Sequence, residues 1–139
     1  MNSNKEFLQK LYINKSIKYI TMTATLEVNL VLDNLIKEFG ESGLYFILIT
    51  SENGAVIKSY ISDEFNKNSI GLNMSQLYEL SEEITADIGV HDPDFNIIHA
   101  SNYYILSVKI LGKIIIVLMD DQIDFSSIFN IINKCIITN

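Results

Sequence analysis

Apolar and polar positions along this chain follow two periods, and the places where the period changes mark out its elements. In residues 26–39, Val28, Val31, Leu32, Leu35, Ile36 and Phe39 recur at the three- and four-residue spacing of one helix face. Thr25 stands where a helix cap belongs and Gly40 where a left-handed stop belongs. Residues 44–50, LYFILIT, are an almost unbroken apolar run, followed by the turn-forming Ser51, Glu52, Asn53 and Gly54 and an alternating stretch over 55–61. That reads as a hairpin whose first strand lies inside a sheet and whose second lies towards an edge. A polar stretch, 62–68, leads to a long helical pattern over 69–89. His91, Asp92, Pro93 and Asp94 break it, and three strands follow over 95–100, 103–111 and 113–119, with Gly112 turning the last pair. The chain closes on Phe125, Ile128, Phe129, Ile132, Cys135 and Ile136 at helical spacing, behind Asp124 as a cap.

Residues 114–119 are apolar at every position, as 44–49 are, so both faces of these two strands must be covered. Two such strands belong together in the middle of a sheet, which needs helices on both of its faces. The short hairpins make the sheet antiparallel. The expectation is an α/β protein built as a three-layer α/β/α sandwich of topology αββαβββα, with the first and last helices on one face and 69–89 on the other.

The long helix carries the most specific signal. At about 100° per residue, its apolar positions Ile70, Met74, Leu77, Tyr78, Leu80, Ile84 and Ile88 fall on one arc, with Ser81 and Thr85 among them. The arc spans roughly 160°, against the 100° or so that covers a single neighbour. One reading is a helix sunk in a single core. The other is a helix with two neighbours: Leu77, Leu80 and Ile84 on the chain's own sheet, and Met74, Tyr78, Ser81 and Thr85 against the same helix of a second copy. Glu79, Glu82, Glu83 and Asp87 occupy the far side as a solvated face, which also offers charge to a basic partner.

Length and composition fit one folded domain: 139 residues are enough for a real core, and 48% hydrophobic content is too apolar for disorder. No run is long enough to span a bilayer, and the first residues lack the pattern of a signal peptide, so a cytoplasmic protein is expected. Charge is divided unevenly. Residues 1–25 hold four lysines and one glutamate, net +3, whereas 26–139 carry net −10. An acidic body argues against nucleic acid as a partner. The start reads as a basic arm over 1–24, preceding a domain over 25–139. In it Phe7, Leu8, Leu11 and Tyr12 share one side of a short helical pattern, with Lys5, Lys10, Lys15 and Lys18 around them. Such an arm packs on its own domain or stays free more often than it binds an anionic membrane or an acidic partner.

Little in the chain suggests catalysis. Phosphate-binding glycine loops and nucleophile elbows are absent, and Gly71, Leu72 and Asn73 are too little to hold a nucleotide. His91 beside Asp92 and Asp94 is more simply an exposed turn than a metal site, and His99 an edge-strand packing or interface residue. Asp120, Asp121 and Asp124 are accounted for by the dipole of the helix they precede. Cys135, the lone cysteine, falls on an apolar face as filler. No cofactor, metal or catalytic residue is expected.

The order of elements, with IGLNMSQLYELSEEITADIG leading through a break to strands that end in GKIIIVLMDD, resembles the Roadblock family over about residues 28–136. That family includes roadblock-type dynein light chains and small bacterial and archaeal proteins. The resemblance implies a five-stranded antiparallel sheet of order 2-1-5-4-3, and dimerisation through the second helix and third strand, which adds Ile97 and His99 to the expected interface. It further implies a non-enzymatic regulator or scaffold of a small Ras-like GTPase, as a homodimer or as a heterodimer with another Roadblock-like chain; the charge on Glu79, Glu82 and Glu83 separately suggests a partner surface. Profilin-like or longin-like binding modules share much of the layered plan. A small-molecule sensor of PAS or GAF type would need a hollow core, which the dense isoleucine pattern disfavours.

Overall fold

A computed structural model describes residues 24–60 and 64–138. The expected helical pattern of the basic arm lies outside the described residues.

The sheet is built on the two apolar strands. β2 (Leu44–Ser51) and β6 (Lys113–Asp120) pair antiparallel at its centre, with β3 (Val56–Tyr60) beyond β2, and β5 (Tyr103–Ile110) and β4 (Asn96–Ala100) beyond β6. The five strands therefore run β3-β2-β6-β5-β4, every neighbouring pair antiparallel. Ile47, Leu48, Ile49, Ile115, Ile116 and Val117 are fully buried because both faces of these strands are covered. Leu111 and Gly112 both take positive φ, 50° and 78°, as the tight turn joining β5 to β6 requires.

Two apolar clusters lie on opposite faces. On one, α1 (Val28–Phe39) and α3 (Phe125–Lys134) bring Val31, Leu35, Ile128 and Ile132 against Ile47, Ile49, Leu106, Ile115 and Val117. On the other, α2 (Lys67–Ile88) brings Met74 and Tyr78 against Phe46, Leu48, Ile114 and Ile116. Alternation along each strand sorts its residues between these clusters. The result is a three-layer arrangement with one helix on one side and two on the other.

The ends of the domain differ from the pattern. Residues 24–26 are a strand, β1 (Ala24–Leu26), paired antiparallel with β7 (Ile136–Thr138). Thr25 is therefore not a helix cap; Glu27 precedes α1 and makes no side-chain cap bond. Ile136, placed by spacing on the last helix, instead faces Leu26 across this two-stranded ribbon. A three-residue strand is too short to show a period, and its partner lies at the other end of the chain. Gly40 also departs from expectation, keeping right-handed backbone at φ −56°, while Gly43, at φ 98°, takes the left-handed position before β2. Asp124 does cap α3, accepting the Ser126 N–H at 3.0 Å, and Asn66 caps α2 through the Ser69 N–H at 3.2 Å.

Candidate functional site

α2 is set on the sheet by three contacts along its length. Near its start Gly71 lies against Gly54 in the hairpin turn: a Cβ on Gly71 would come within 2.8 Å of the Gly54 carbonyl oxygen, and one on Gly54 within 2.8 Å of that of Gly71. The Ser75 hydroxyl donates to the Glu52 carbonyl at 2.5 Å. Farther along, the Tyr78 hydroxyl accepts the Lys109 backbone N–H at 3.2 Å and donates to the Pro93 carbonyl at 3.1 Å. Burial, first of all, pushes the Tyr78 phenol above its ordinary pKa. Glu82 then meets the Lys109 ammonium at 3.1 Å, and its hydrogen bond and charge outweigh the opposing effect of burial, raising the lysine's pKa.

These contacts decide which flank of the arc faces inward, and it is the reverse of the expected one. Met74 and Tyr78, assigned to a second copy, are 6% and 2% exposed and sit in the chain's own core. Leu80 and Ile84, assigned to that core, are 53% and 51% exposed, and Ile88 is 69% exposed. Only Leu77 keeps its assigned place, half-buried against the sheet cluster. Helical periodicity gives angles between residues but not the rotation of the helix about its axis, and Gly71 and Tyr78 supply that rotation. Ser81 and Thr85 are half-buried and satisfy their hydroxyls on their own helix, Ser81 on the Leu77 carbonyl and Thr85 on those of Ser81 and Glu82. Of the three acids proposed for a partner, Glu79 and Glu83 are exposed, whereas Glu82 is engaged by Lys109.

The sheet beside this stripe is only partly covered. A five-stranded sheet is about 19 Å across and a helix with its side chains about 10 Å. Among the described residues, α2 packs chiefly over β2, β3 and β6 and meets β5 where Tyr78 and Glu82 reach Lys109. On β4 and β5, Ile98 and Tyr103 are exposed and Ile105 is half-buried. Ile98 pairs with Ile105 and points to the α2 face, so Ile97, one residue back, points to the opposite cluster and is partly buried in it. Ile97, expected at an interface, therefore faces the chain's own core, because a one-residue step in a strand exchanges faces. His99 lies on the same face as Ile97, its Nε2 3.1 Å from an Asp121 carboxylate oxygen and its ring 4.8 Å from that of Tyr104. Next to Ile98, the cross-strand partners Asn96 and Ser107 bury an amide nitrogen and a hydroxyl that have no hydrogen-bond partner among the described residues. The outer edge of β4 pairs with no other strand among the described residues.

Chemistry elsewhere is local. His91 Nδ1 lies 2.7 Å from the Asp92 carbonyl and 3.9 Å from an Asp94 carboxylate oxygen. Asp120 accepts the Gln122 backbone N–H at 2.9 Å, and Asp121 accepts from the Gln122 side chain at 3.0 Å, so turn hydrogen bonds hold these acids beside α3. Cys135 is buried, with its thiol pKa raised by that burial and its S–H donating to the Ile131 carbonyl. Among the described residues no three His, Cys, Asp or Glu side chains converge as metal ligands, and no helix is long and apolar enough to cross a membrane.

The arrangement has counterparts among solved structures. MglB of Myxococcus xanthus superposes with a TM-score of 0.68 at 14% identity, over 78% of this chain and 88% of that one. A Roadblock/LC7 domain from Streptomyces avermitilis superposes at 0.63 with 15% identity, over 74% and 89%. The chain has the Roadblock-family fold. A third Roadblock-fold neighbour, the gliding protein MglB of Thermus thermophilus, superposes at 0.62 with 7% identity, over 77% and 83%. No protein-family model matches the sequence, and neither does any curated protein. The Roadblock resemblance read from the sequence thus holds at the level of fold.

Strand alternation already contained the signal for Ile98, which stands two positions from Ala100 and two from Asn96 and so shares their face. Nothing in the sequence signalled that Leu80, Ile84 and Ile88 would be the uncovered flank.

Proposed function

We propose that this Roadblock-fold chain is a non-enzymatic homodimer that serves as a regulator or scaffold of a small Ras-like GTPase. The observation that supports the dimer is that Leu80, Ile84 and Ile88 on α2 and Ile98 on β4 are all exposed apolar residues, and that the outer edge of β4 pairs with no other strand among the described residues. An exposed helix stripe and an exposed sheet residue of this kind are apolar surface that a second copy can cover. In a twofold pair the stripe of each copy covers apolar surface of the other, and two β4 edges can pair into one continuous sheet. Ser81, Thr85 and His99 lie at the margin of this contact rather than at its centre. A stable pair needs an interface of about 1,200 Å² or more in total, which a helix and a strand from each copy can supply.

The GTPase reading rests on the family resemblance and the shared fold. The sequence carries no phosphate-binding loop of its own, so the chain is read as the partner of a GTPase and not as one itself. Glu79 and Glu83, exposed on the far side of α2, remain available to a basic partner in a dimer built this way.

Light scattering at micromolar concentration tests the first half: the expected mass is twice 15.8 kDa, and a monomer across that range removes the dimer. The second half is tested with purified small GTPases from the source organism, each loaded in turn with GDP and a non-hydrolysable GTP analogue. Binding that favours one nucleotide state is expected, and no binding in either state removes the GTPase reading.

A further inference from the structure

The hairpin turn against which α2 starts contains Asn53 followed by Gly54, and no other asparagine in the chain precedes a glycine. Asparagine is among the chemically labile residues. Its weakness depends on the residue that follows, because the next backbone nitrogen is the group that attacks the side-chain carbonyl, and glycine has no Cβ to obstruct the approach. Asn53 is exposed, so water and hydroxide reach its amide.

We propose that Asn53 is a site of spontaneous deamidation, which converts it to isoaspartate and so alters the turn that anchors α2. The Gly54 nitrogen gives its proton to solvent base and attacks Asn53 Cγ. The new C–N bond forms as the bond from Cγ to Nδ2 breaks, and the departing nitrogen takes up a proton and leaves as ammonia. Water then opens the resulting succinimide at one or other carbonyl, leaving isoaspartate or aspartate. Water is the only co-reactant.

The turn places donors on the carbonyl under attack. The Ser51 hydroxyl donates to Asn53 Oδ1, and the Ala55 N–H reaches the same oxygen at 3.5 Å. Donors there stabilise the negative charge that the oxygen gathers as nitrogen adds. The Gly54 N–H itself donates to the Ser51 carbonyl at 3.0 Å, a bond that has to break before the nitrogen attacks. Breaking one turn hydrogen bond is a local opening, far less costly than unfolding the domain.

The consequence for α2 follows from where Asn53 stands. Isoaspartate carries the main chain through the former side chain and adds one methylene to the backbone. On one side of it the Glu52 carbonyl accepts the Ser75 hydroxyl at 2.5 Å. On the other, a Cβ on Gly54 would already lie 2.8 Å from the Gly71 carbonyl oxygen and from Leu72 Cα. Backbone lengthened between these two anchors cannot keep both. The start of α2 is thereby loosened, while Tyr78 keeps its hold on the Lys109 N–H farther along.

Incubating the full chain in mildly alkaline buffer tests the site, with peptide mass spectrometry and electron-transfer fragmentation to tell isoaspartate from aspartate. Asn53 is expected to convert severalfold faster than Asn68, which precedes Ser69, and Ser51→Ala is expected to slow it. Asn53 that keeps its amide while other asparagines convert overturns the proposal, and faster conversion in Ser51→Ala overturns the part given to that hydroxyl. Asn53→Gln is expected to abolish the conversion without lowering the thermal midpoint. For the consequence, hydrogen exchange is compared between the separated isoaspartyl chain, the unmodified chain and Asn53→Asp, which has the charge on an ordinary backbone. Only the isoaspartyl chain is expected to exchange severalfold faster in peptides covering 67–75. Equal exchange in all three, or equal acceleration in Asn53→Asp, overturns the effect assigned to the lengthened backbone.

Discussion

The hydroxyl of Tyr78, in the middle of α2, accepts the backbone N–H of Lys109 near the end of β5 at 3.2 Å, and the Lys109 side chain reaches back to Glu82 one turn farther along the same helix. This pair of contacts locks the helix in rotation as well as in position. Tyr78→Phe keeps the ring but strips partners from the Lys109 N–H and the Pro93 carbonyl. An unpaired buried group costs about 1 to 3 kcal/mol, so a loss of that order is expected in urea unfolding, with an unchanged m-value.

Gly71 and Gly54 set the other end of α2. Gly71→Ala forces a Cβ to within 2.8 Å of backbone that cannot give way cheaply, and the helix must lift from the hairpin. Overpacking of this kind costs about 1 to 3 kcal/mol. Gly54→Ala meets equally close contacts and adds strain, because Gly54 sits at φ 90°. Thermal unfolding is expected to rank the variants wild type, Gly71→Ala, Gly54→Ala in falling order; a Gly54→Ala chain as stable as wild type would contradict the close approach.

Leu80 and Ile84 give the cleanest separation of assembly from folding. Both are about half exposed in the single chain, so Leu80→Asp with Ile84→Asp is expected to change the subunit's own stability by no more than about 0.5 kcal/mol per site. The same pair is expected to turn a dimer into a monomer in light scattering. Substituting Met74→Asp instead buries a charge in the core and is expected to unfold the chain, which distinguishes the two flanks of the arc.

Asp121 carries the pH dependence. Its carboxyl lies below the ordinary value of 3.8, chiefly through the Gln122 side-chain hydrogen bond and next through that from His99. A carboxyl depressed in the folded state adds stability above the unfolded value and loses it as pH falls through the folded one. The Asp121 contribution to the tie between β4 and the turn before α3 is therefore expected to be lost in acid, as pH falls through the lowered Asp121 value. Titration of the Asp121 carboxyl by NMR is expected to show its pKa moving up towards 3.8 in Gln122→Ala and, to a smaller extent, in His99→Ala.

Some elements could be read from residue order because their physics is local. The apolar runs of β2 and β6 need cover on two faces wherever they lie, the Asp124 cap acts over two residues, and the turn at Gly112 needs positive φ whatever surrounds it. Other features were illegible for equally definite reasons. β1 and β7 are three residues each and meet only because the two ends of the domain converge, so neither has a period to detect. Gly71 reads along the chain as an isolated helix glycine, and its meaning comes only from Gly54 lying against it.

The amino-acid order by itself determined that a helix with an apolar arc too broad for one neighbour would cover a sheet with an apolar centre, since burial of such patterns is favourable in any arrangement that permits it. Only the tertiary structure decided which side of that helix is left to the solvent. A helix can turn about its axis without altering its sequence or its backbone hydrogen bonds, and it was a glycine contact and one tyrosine hydroxyl, both made with residues distant along the chain, that stopped the turn with Leu80, Ile84 and Ile88 facing out.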